Sequence, residues 1–174
     1  AAYGDSLYGL NRKDNLTFDP SEGLLDSWKI DVKGDDVVTT KVIKRGIPWH
    51  NNEGVVTTQD VKFTDAHLLL GGTSSSTVQR PIIFNRDLNN IEIVDDVTLR
   101  YHSKLQQLIV DYQKQWVGYL MPKAYVERVG EDGYRKQPVN TGPWKLIQHV
   151  SDTRVNLEAV PNHWRQTPEY EKLV

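Results

Sequence analysis

The chain has 174 residues, a net charge of −2 and an isoelectric point near 6.2, so nothing in its charge draws it to nucleic acid or anionic lipid. It contains no cysteine, which excludes thiol catalysis, disulfides and thiolate metal sites, and no run of about 18 apolar residues that would cross a membrane. The apolar share of 38% and charged share of 25% suit one ordinary globular domain over residues 1–174.

Ala1-Ala2-Tyr3-Gly4-Asp5 has neither a basic stretch nor an apolar core of signal type, so the reading is a removed signal or a start inside a longer protein. Residues 1–23 are polar and turn-rich, with loops marked at Asn11 to Asn15 and at Asp19-Pro20. Leu24 to Ile30 predicts a strand and Val37 to Arg45, rich in β-branched residues, a second; Asp31 to Asp36 reads as the turn between them, with Gly34 where φ > 0 is easy. Thr57 is a natural N-cap, and Asp60 sits where its carboxylate reaches back to the cap's N–H. The helix it starts should run from Thr58 to Leu70 and stop at Gly71-Gly72. Gly71 to Thr77 is a small-residue loop.

A second hairpin is predicted over Ile91 to Val94 and Thr98 to His102, across Asp95-Asp96. Leu105, Leu108, Ile109, Tyr112 and Trp116 sit at helical spacing. A short helix should begin with Pro122 in its first turn and end near Gly130. A third hairpin pairs Trp144 to Val150 with Arg154 to Ala159. Hairpins interrupted by single helices predict an α+β (mixed α/β) fold and no regular βαβ array.

Six segments, in order, resemble family 5 extracellular solute-binding proteins of ABC importers. Leu24-Leu25-Asp26-Ser27-Trp28 is similar to the family's Leu-Ala-Glu-Ser-Trp. Lys44-Arg45-Gly46-Ile47-Pro48-Trp49-His50-Asn51-Asn52-Glu53-Gly54 resembles Leu-Arg-Lys-Gly-Val-Lys-Trp/Phe-His-Asp-Gly, and Thr57-Thr58-Gln59-Asp60-Val61 resembles Thr-Ala-Glu-Asp-Val. Asp95 to Arg100 is similar to Asp-Asp-x-Thr-Val-Arg, Asn140-Thr141-Gly142-Pro143-Trp144-Lys145-Leu146 to Gly-Thr-Gly-Pro-Tyr-Lys-Leu, and Asn162-His163-Trp164 to Asn-Pro-Asp-Tyr-Trp. The chain departs from the pattern at Asn140, at Asn51, and by one extra residue before Gly54.

The resemblance implies part of lobe I of a type II periplasmic-binding-protein-like fold, with the second lobe absent. It implies no enzyme and no cofactor. The partners implied are a small molecule or short peptide as ligand, ABC permease subunits in the membrane and no nucleic acid, with the protein itself a monomer. It implies a periplasmic or extracellular, membrane-associated location, with a lipid anchor in the full-length form. Structural roles fall on Trp28, Gly46, Trp49, His50, Thr57, Asp60, Thr141, Gly142, Pro143, Trp144 and Trp164. The ligand-facing candidates are Thr73, Ser74, Ser75, Ser76, Thr77 and Gln79, whose hydroxyls and amide offer hydrogen bonds to a polar ligand, against the reading of a surface loop.

The residues carry no catalytic or metal signature. His50, His67, His102, His149 and His163 are isolated, with no metal spacing. Asp35-Asp36 and Asp95-Asp96 fall in turns, where solvated carboxylates are expected. Asn15-Leu16-Thr17 fits a glycosylation sequon that chance explains. Two other functions stay open: a glycan-active or other hydrolase, which needs two acids converging about 5–10 Å apart in a pocket, and a receptor or sensor lobe with the same fold.

Overall fold

The computed structural model describes residues 4–9, 19–70, 87–105, 119–150 and 152–174, the side chains of residues 68–70 excepted. The Asn15 sequon, the loop from Gly71 to Gln79 and the helical spacing beyond Leu105 lie outside the described residues. The chain divides into two compact units, one of Ser6–Arg45 and Thr57–Gly118, the other of Ala1–Asp5, Gly46–Val56 and Tyr119–Val174.

In the first of these, β1 (Leu25–Lys33) and β2 (Asp36–Ile43) form the expected hairpin, and β3 (Ile91–Ile93) and β4 (Thr98–Lys104) the second. All pairs are antiparallel, in the order β1-β2-β4-β3. Gly34 takes φ +60° in the two-residue turn, a conformation that a β-carbon strains even though nothing crowds the site. β2 buries alternate residues Val37, Thr39, Lys41 and Ile43, facing Leu99 and Tyr101 of β4. Two of these four inward positions are polar. The Lys41 ammonium lies 4.1 Å from the Tyr101 ring centroid and 5.0 Å from that of Tyr8, which desolvates the cation against two aromatic faces.

The N-terminal stretch is less loop-like than its composition suggests. Leu24 and Leu25 N–H groups donate to the Ser6 and Leu7 carbonyls, and Leu7 and Tyr8 are buried. A β-carbon on Gly9 would sit 2.3 Å from the Gly23 nitrogen, so this backbone crossing requires glycine on both strands of chain.

α1 runs Thr58–Leu70, as its cap predicts. The Asp60 carboxylate accepts from the Thr57 N–H at 2.8 Å and from the Thr57 hydroxyl at 3.1 Å. The Thr58 N–H donates to the Asp96 carbonyl at 3.0 Å and its hydroxyl to the Asp95 carbonyl at 2.6 Å. The first turn of α1 is therefore docked on the β3–β4 turn. Further along, Tyr101 donates to Asp65 at 2.7 Å and Lys62 to the Ile91 carbonyl at 2.7 Å, which holds the helix over β3 and β4.

The other unit contains α2 (Lys123–Lys136) and the sheet β5 (Trp144–Val150), β6 (Arg154–Ala159) and β7 (Lys172–Leu173), all antiparallel in that order. The third hairpin appears as predicted; the short β7 beside it was not foreseen. Pro122 is the N-cap of α2 and not its first helical residue. The predicted stop at Gly130 is a break, with φ 73° and ψ 169°, but helix resumes after it. The resumed turn is held back on the first: the Tyr125 and Tyr134 rings meet edge to face at 6.3 Å, and the Tyr125 hydroxyl donates to the Gln137 carbonyl at 2.8 Å.

Candidate functional site

The polar residues that the sequence scatters most widely come together on the turn Asn140–Pro143. The approach begins at Trp49, whose N–H donates to the Gly54 carbonyl at 2.9 Å and closes a tight loop. Asn51 and Asn52 both take left-handed φ, 59° and 60°, and Gly54 follows at 90°. Asparagine tolerates that region better than most side chains, which accounts for its use at two successive positions. Arg128 of α2 pins the loop from outside, its guanidinium 2.6 Å from both Glu53 carboxylate oxygens.

The loop delivers His50, 6% exposed, to the turn. Its backbone N–H donates to the Asn140 carbonyl at 2.9 Å, and Nε2 lies 2.7 Å from the Gly142 carbonyl oxygen. A carbonyl only accepts, so Nε2 carries the proton and Nδ1 is a bare lone pair. That Nδ1 is buried without a hydrogen-bond partner among the described residues. Burial holds the His50 pKa below the usual histidine value; the Gly142 bond opposes the shift, His163 adds to it, Asp5 opposes it, and Lys145 adds a little.

A second histidine grips the preceding carbonyl. His163 Nε2 donates to the Thr141 carbonyl at 2.8 Å, and its Nδ1 accepts from the Arg165 and Gln166 N–H groups, each at 3.3 Å. Trp164 Nε1 donates to the Thr141 carbonyl at 3.3 Å and to Asp5 at 3.2 Å. The Asp5 side chain, only 2% exposed, accepts from the Arg165 guanidinium at 2.6 Å. The buried carboxylate is thus paired with a cation and given a neutral donor as well, the condition under which a buried charge is tolerated. The Pro143 carbonyl accepts from Val160 N–H at 2.9 Å, and Trp144 leaves the turn into a buried position at the head of β5.

Thr141, Gly142, Pro143, Trp144, Trp49, His50 and Trp164 therefore share one cluster. Asp5 and Arg165 belong to it and were not anticipated. A half-buried indole N–H still needs an acceptor, and that requirement was the one available signal for Asp5. Chemically the cluster fixes backbone: Nε2 of both imidazoles is committed to a carbonyl, and the carboxylate is committed to Arg165 and Trp164.

The remaining named residues lie elsewhere. Gly46 has φ 72°. Thr57 and Asp60 cap α1, and Trp28 sits on β1, 37% exposed and edge-on to Tyr8 at 6.0 Å. Thr73 to Gln79 fall outside the described residues. Asp35-Asp36 and Asp95-Asp96 are exposed on hairpin turns. Asp95 is held below the usual carboxylate range by the Val97 and Thr98 backbone N–H groups, and Asp36 by the Lys104 ammonium. His67 stacks near Phe63, His102 lies 3.2 Å from Glu92, and His149 is exposed on β5. Among the described residues, no group of three or more histidine or acidic side chains is placed to hold a metal ion.

Comparison with known proteins places this architecture. The family model described as bacterial extracellular solute-binding proteins, family 5 middle, matches residues 19–174. The chain is 22% identical over 176 aligned positions to the dipeptide-binding protein of Escherichia coli K12, covering 87% of this chain and 31% of that protein. The oligopeptide-binding protein AppA of Bacillus subtilis, solved with a nonapeptide, superposes with a TM-score of 0.74 at 19% identity over 98% of this chain and 33% of AppA. MoaA of A. tumefaciens R10, solved with mannopinic acid, superposes at 0.70 with 23% identity over 98% of this chain and 34% of its own. The mixed α+β fold is that of these binding proteins, and the chain spans about a third of their length.

Proposed function

This chain belongs to family 5 of the bacterial extracellular solute-binding proteins, and on that premise we propose that it helps capture a peptide-like solute outside the cytoplasm for an ABC importer. The observation that carries the reading is the family match, which runs from residue 19 to residue 174 and so takes in all six sequence motifs whole and nearly all of both units. The peptide class draws support from the E. coli relative, a dipeptide-binding protein, and from AppA, solved with a nonapeptide.

In this reading the chain supplies one lobe of a two-lobed clamp. Binding sites enclose about 70–90% of a small ligand's surface, so a single lobe leaves roughly half of the wall to the opposing one. Hinge closure then buries the ligand, and the closed form is what a membrane permease recognises. Thr73 to Thr77 and Gln79 are the proposed contacts to the polar backbone of the ligand. The Asn140–Pro143 cluster serves as the fixed frame: it spends its hydrogen bonds on holding chain segments together, which suits a rigid jaw and supplies no chemistry to a substrate. The proposed location is the periplasm or cell exterior, with a lipid anchor on the full-length form. The described residues include no helix long and apolar enough to cross a membrane.

Uptake of a radiolabelled dipeptide by cells lacking the gene tests the transport role. Uptake should fall sharply in the deletion strain and return when the gene is restored. Unchanged uptake of labelled dipeptides and longer peptides alike would contradict it.

A further inference from the structure

His50 ties the loop Trp49–Gly54 to the turn Asn140–Pro143 twice, through its backbone N–H to the Asn140 carbonyl at 2.9 Å and through Nε2 to the Gly142 carbonyl at 2.7 Å. Its other ring nitrogen, Nδ1, is buried and has no hydrogen-bond partner among the described residues. Directly after this residue the backbone is strained. Asn51 (φ 59°, ψ 24°) and Asn52 (φ 60°) both occupy the left-handed region, which residues other than glycine enter at a cost. Both side chains are exposed, so their burial does not offset that cost.

Such a bend persists only while its attachments hold. Three others accompany those of His50: the Trp49 N–H on the Gly54 carbonyl, the bridge between Pro48 and Val55, and the Glu53–Arg128 ion pair. His50 is the attachment made by a side chain type that changes charge near neutral pH.

The surrounding groups leave a second ring proton without a partner. Burial weighs most against a charge on this ring; the Gly142 bond favours one, His163 opposes it, Asp5 favours it and Lys145 of β5 opposes it. Asp5, from the N-terminal segment, is already committed to the Arg165 guanidinium at 2.6 Å and to Trp164 Nε1 at 3.2 Å. On the loop itself, Glu53 is held by Arg128 of α2.

We propose that His50 is an acid-operated latch: its neutral ring fastens the strained loop to the turn Asn140–Pro143, and taking up a proton releases the loop. A solvent proton on the Nδ1 lone pair creates a buried N–H with no acceptor. The ring satisfies it by turning out to water, which breaks the Nε2 bond to Gly142. The left-handed bend then relaxes, and the Trp49, His50 and Glu53 N–H groups leave the Gly54, Asn140 and His50 carbonyls. The Glu53–Arg128 pair stays, so the loop opens while remaining tethered. Histidine protonation biasing an element with two arrangements is a recurring form of pH switch.

Native-state amide exchange on the full-length protein tests this, corrected for intrinsic rates. The loop is read at Trp49, His50 and Glu53, with Val126 of α2 and Ala159 of β6 as references. The loop amides should exchange faster than the references and be insensitive to low urea, the mark of a local opening. From pH 7.5 to pH 5.5 their protection should fall by about fivefold to tenfold. H50Q keeps a donor for Gly142 and cannot gain the proton, so its loop protection should stay constant over that range. Should H50Q fold poorly, the ring nitrogen shifts of His50 in the wild type decide, since ring protonation must track the loss of loop protection. Loop amides that open only together with the references, protection independent of pH, an unchanged pH response in H50Q, or a ring that titrates without loss of protection would each overturn the latch.

Discussion

His50 and His163 each place Nε2–H on a carbonyl of the same turn, yet their other nitrogens differ: His163 Nδ1 accepts two backbone N–H groups, and His50 Nδ1 accepts none among the described residues. Protonating His50 thus puts a buried cation where no acceptor waits for it. Burial holds the folded pKa below that of an ordinary histidine, the value the unfolded chain keeps. As pH falls through that value the unfolded chain takes up a proton that the folded chain refuses, so stability should drop with falling pH and level off below the folded pKa. H50Q keeps the Nε2-type donor to Gly142 and removes the titration. Urea unfolding between pH 7.5 and pH 5 should therefore show a shallower pH slope in H50Q than in wild type, and equal slopes would contradict the assignment. Little of this clustering was legible beforehand. The sequence marked both histidines as isolated and the Asn140–Pro143 motif as a structural turn, but nothing local reveals that residues 5, 50, 141 and 163 meet. Chemistry at such separations is set by the packing of whole elements.

Elements were read better where their signals are local. The cap at Thr57 and Asp60 predicted the start of α1, and its carboxylate reaches the Thr57 N–H as expected. The Thr57 hydroxyl does something else: it donates to that carboxylate. Removing it leaves the main bond in place, whereas removing Asp60 loses both. D60A should therefore cost about 1–2 kcal/mol, and T57A about 0.5 kcal/mol, near the floor of the usual range for lost caps. Chemical denaturation of both variants checks this; T57A costing more than D60A would show that the hydroxyl is the true cap. The three hairpins were legible from β-branched runs and turn residues. The phase of β2 was not, because a polarity pattern would send Val38 and Val42 inward, while the structure buries Thr39 and Lys41 and gives the lysine two aromatic rings. Gly130 was read as a stop because glycine ends helices. The Tyr125–Tyr134 contact, which resumes the helix, is a packing effect that no end signal encodes.

For the molecule as a whole, six short motifs in fixed order carried more than any bulk property. Composition and charge only removed nucleic acid, thiol chemistry and membrane spans; the order of motifs led to the family, and the family model and the superposed binding proteins agree with it. The ligand surface is the least legible part, since small hydroxyl residues such as Thr73 to Thr77 have no pattern that separates a contact from a loop. The central claim is that this chain forms one wall of an enclosure and not the whole. Titration calorimetry with dipeptides and short peptides, run side by side on the 174-residue chain and on the full-length gene product, tests it most directly. The account predicts micromolar or tighter binding by the full-length protein and binding at least about 100-fold weaker by the chain alone, as expected when half the contact surface is missing. Equal affinity in the two, or no peptide binding by either, would contradict it.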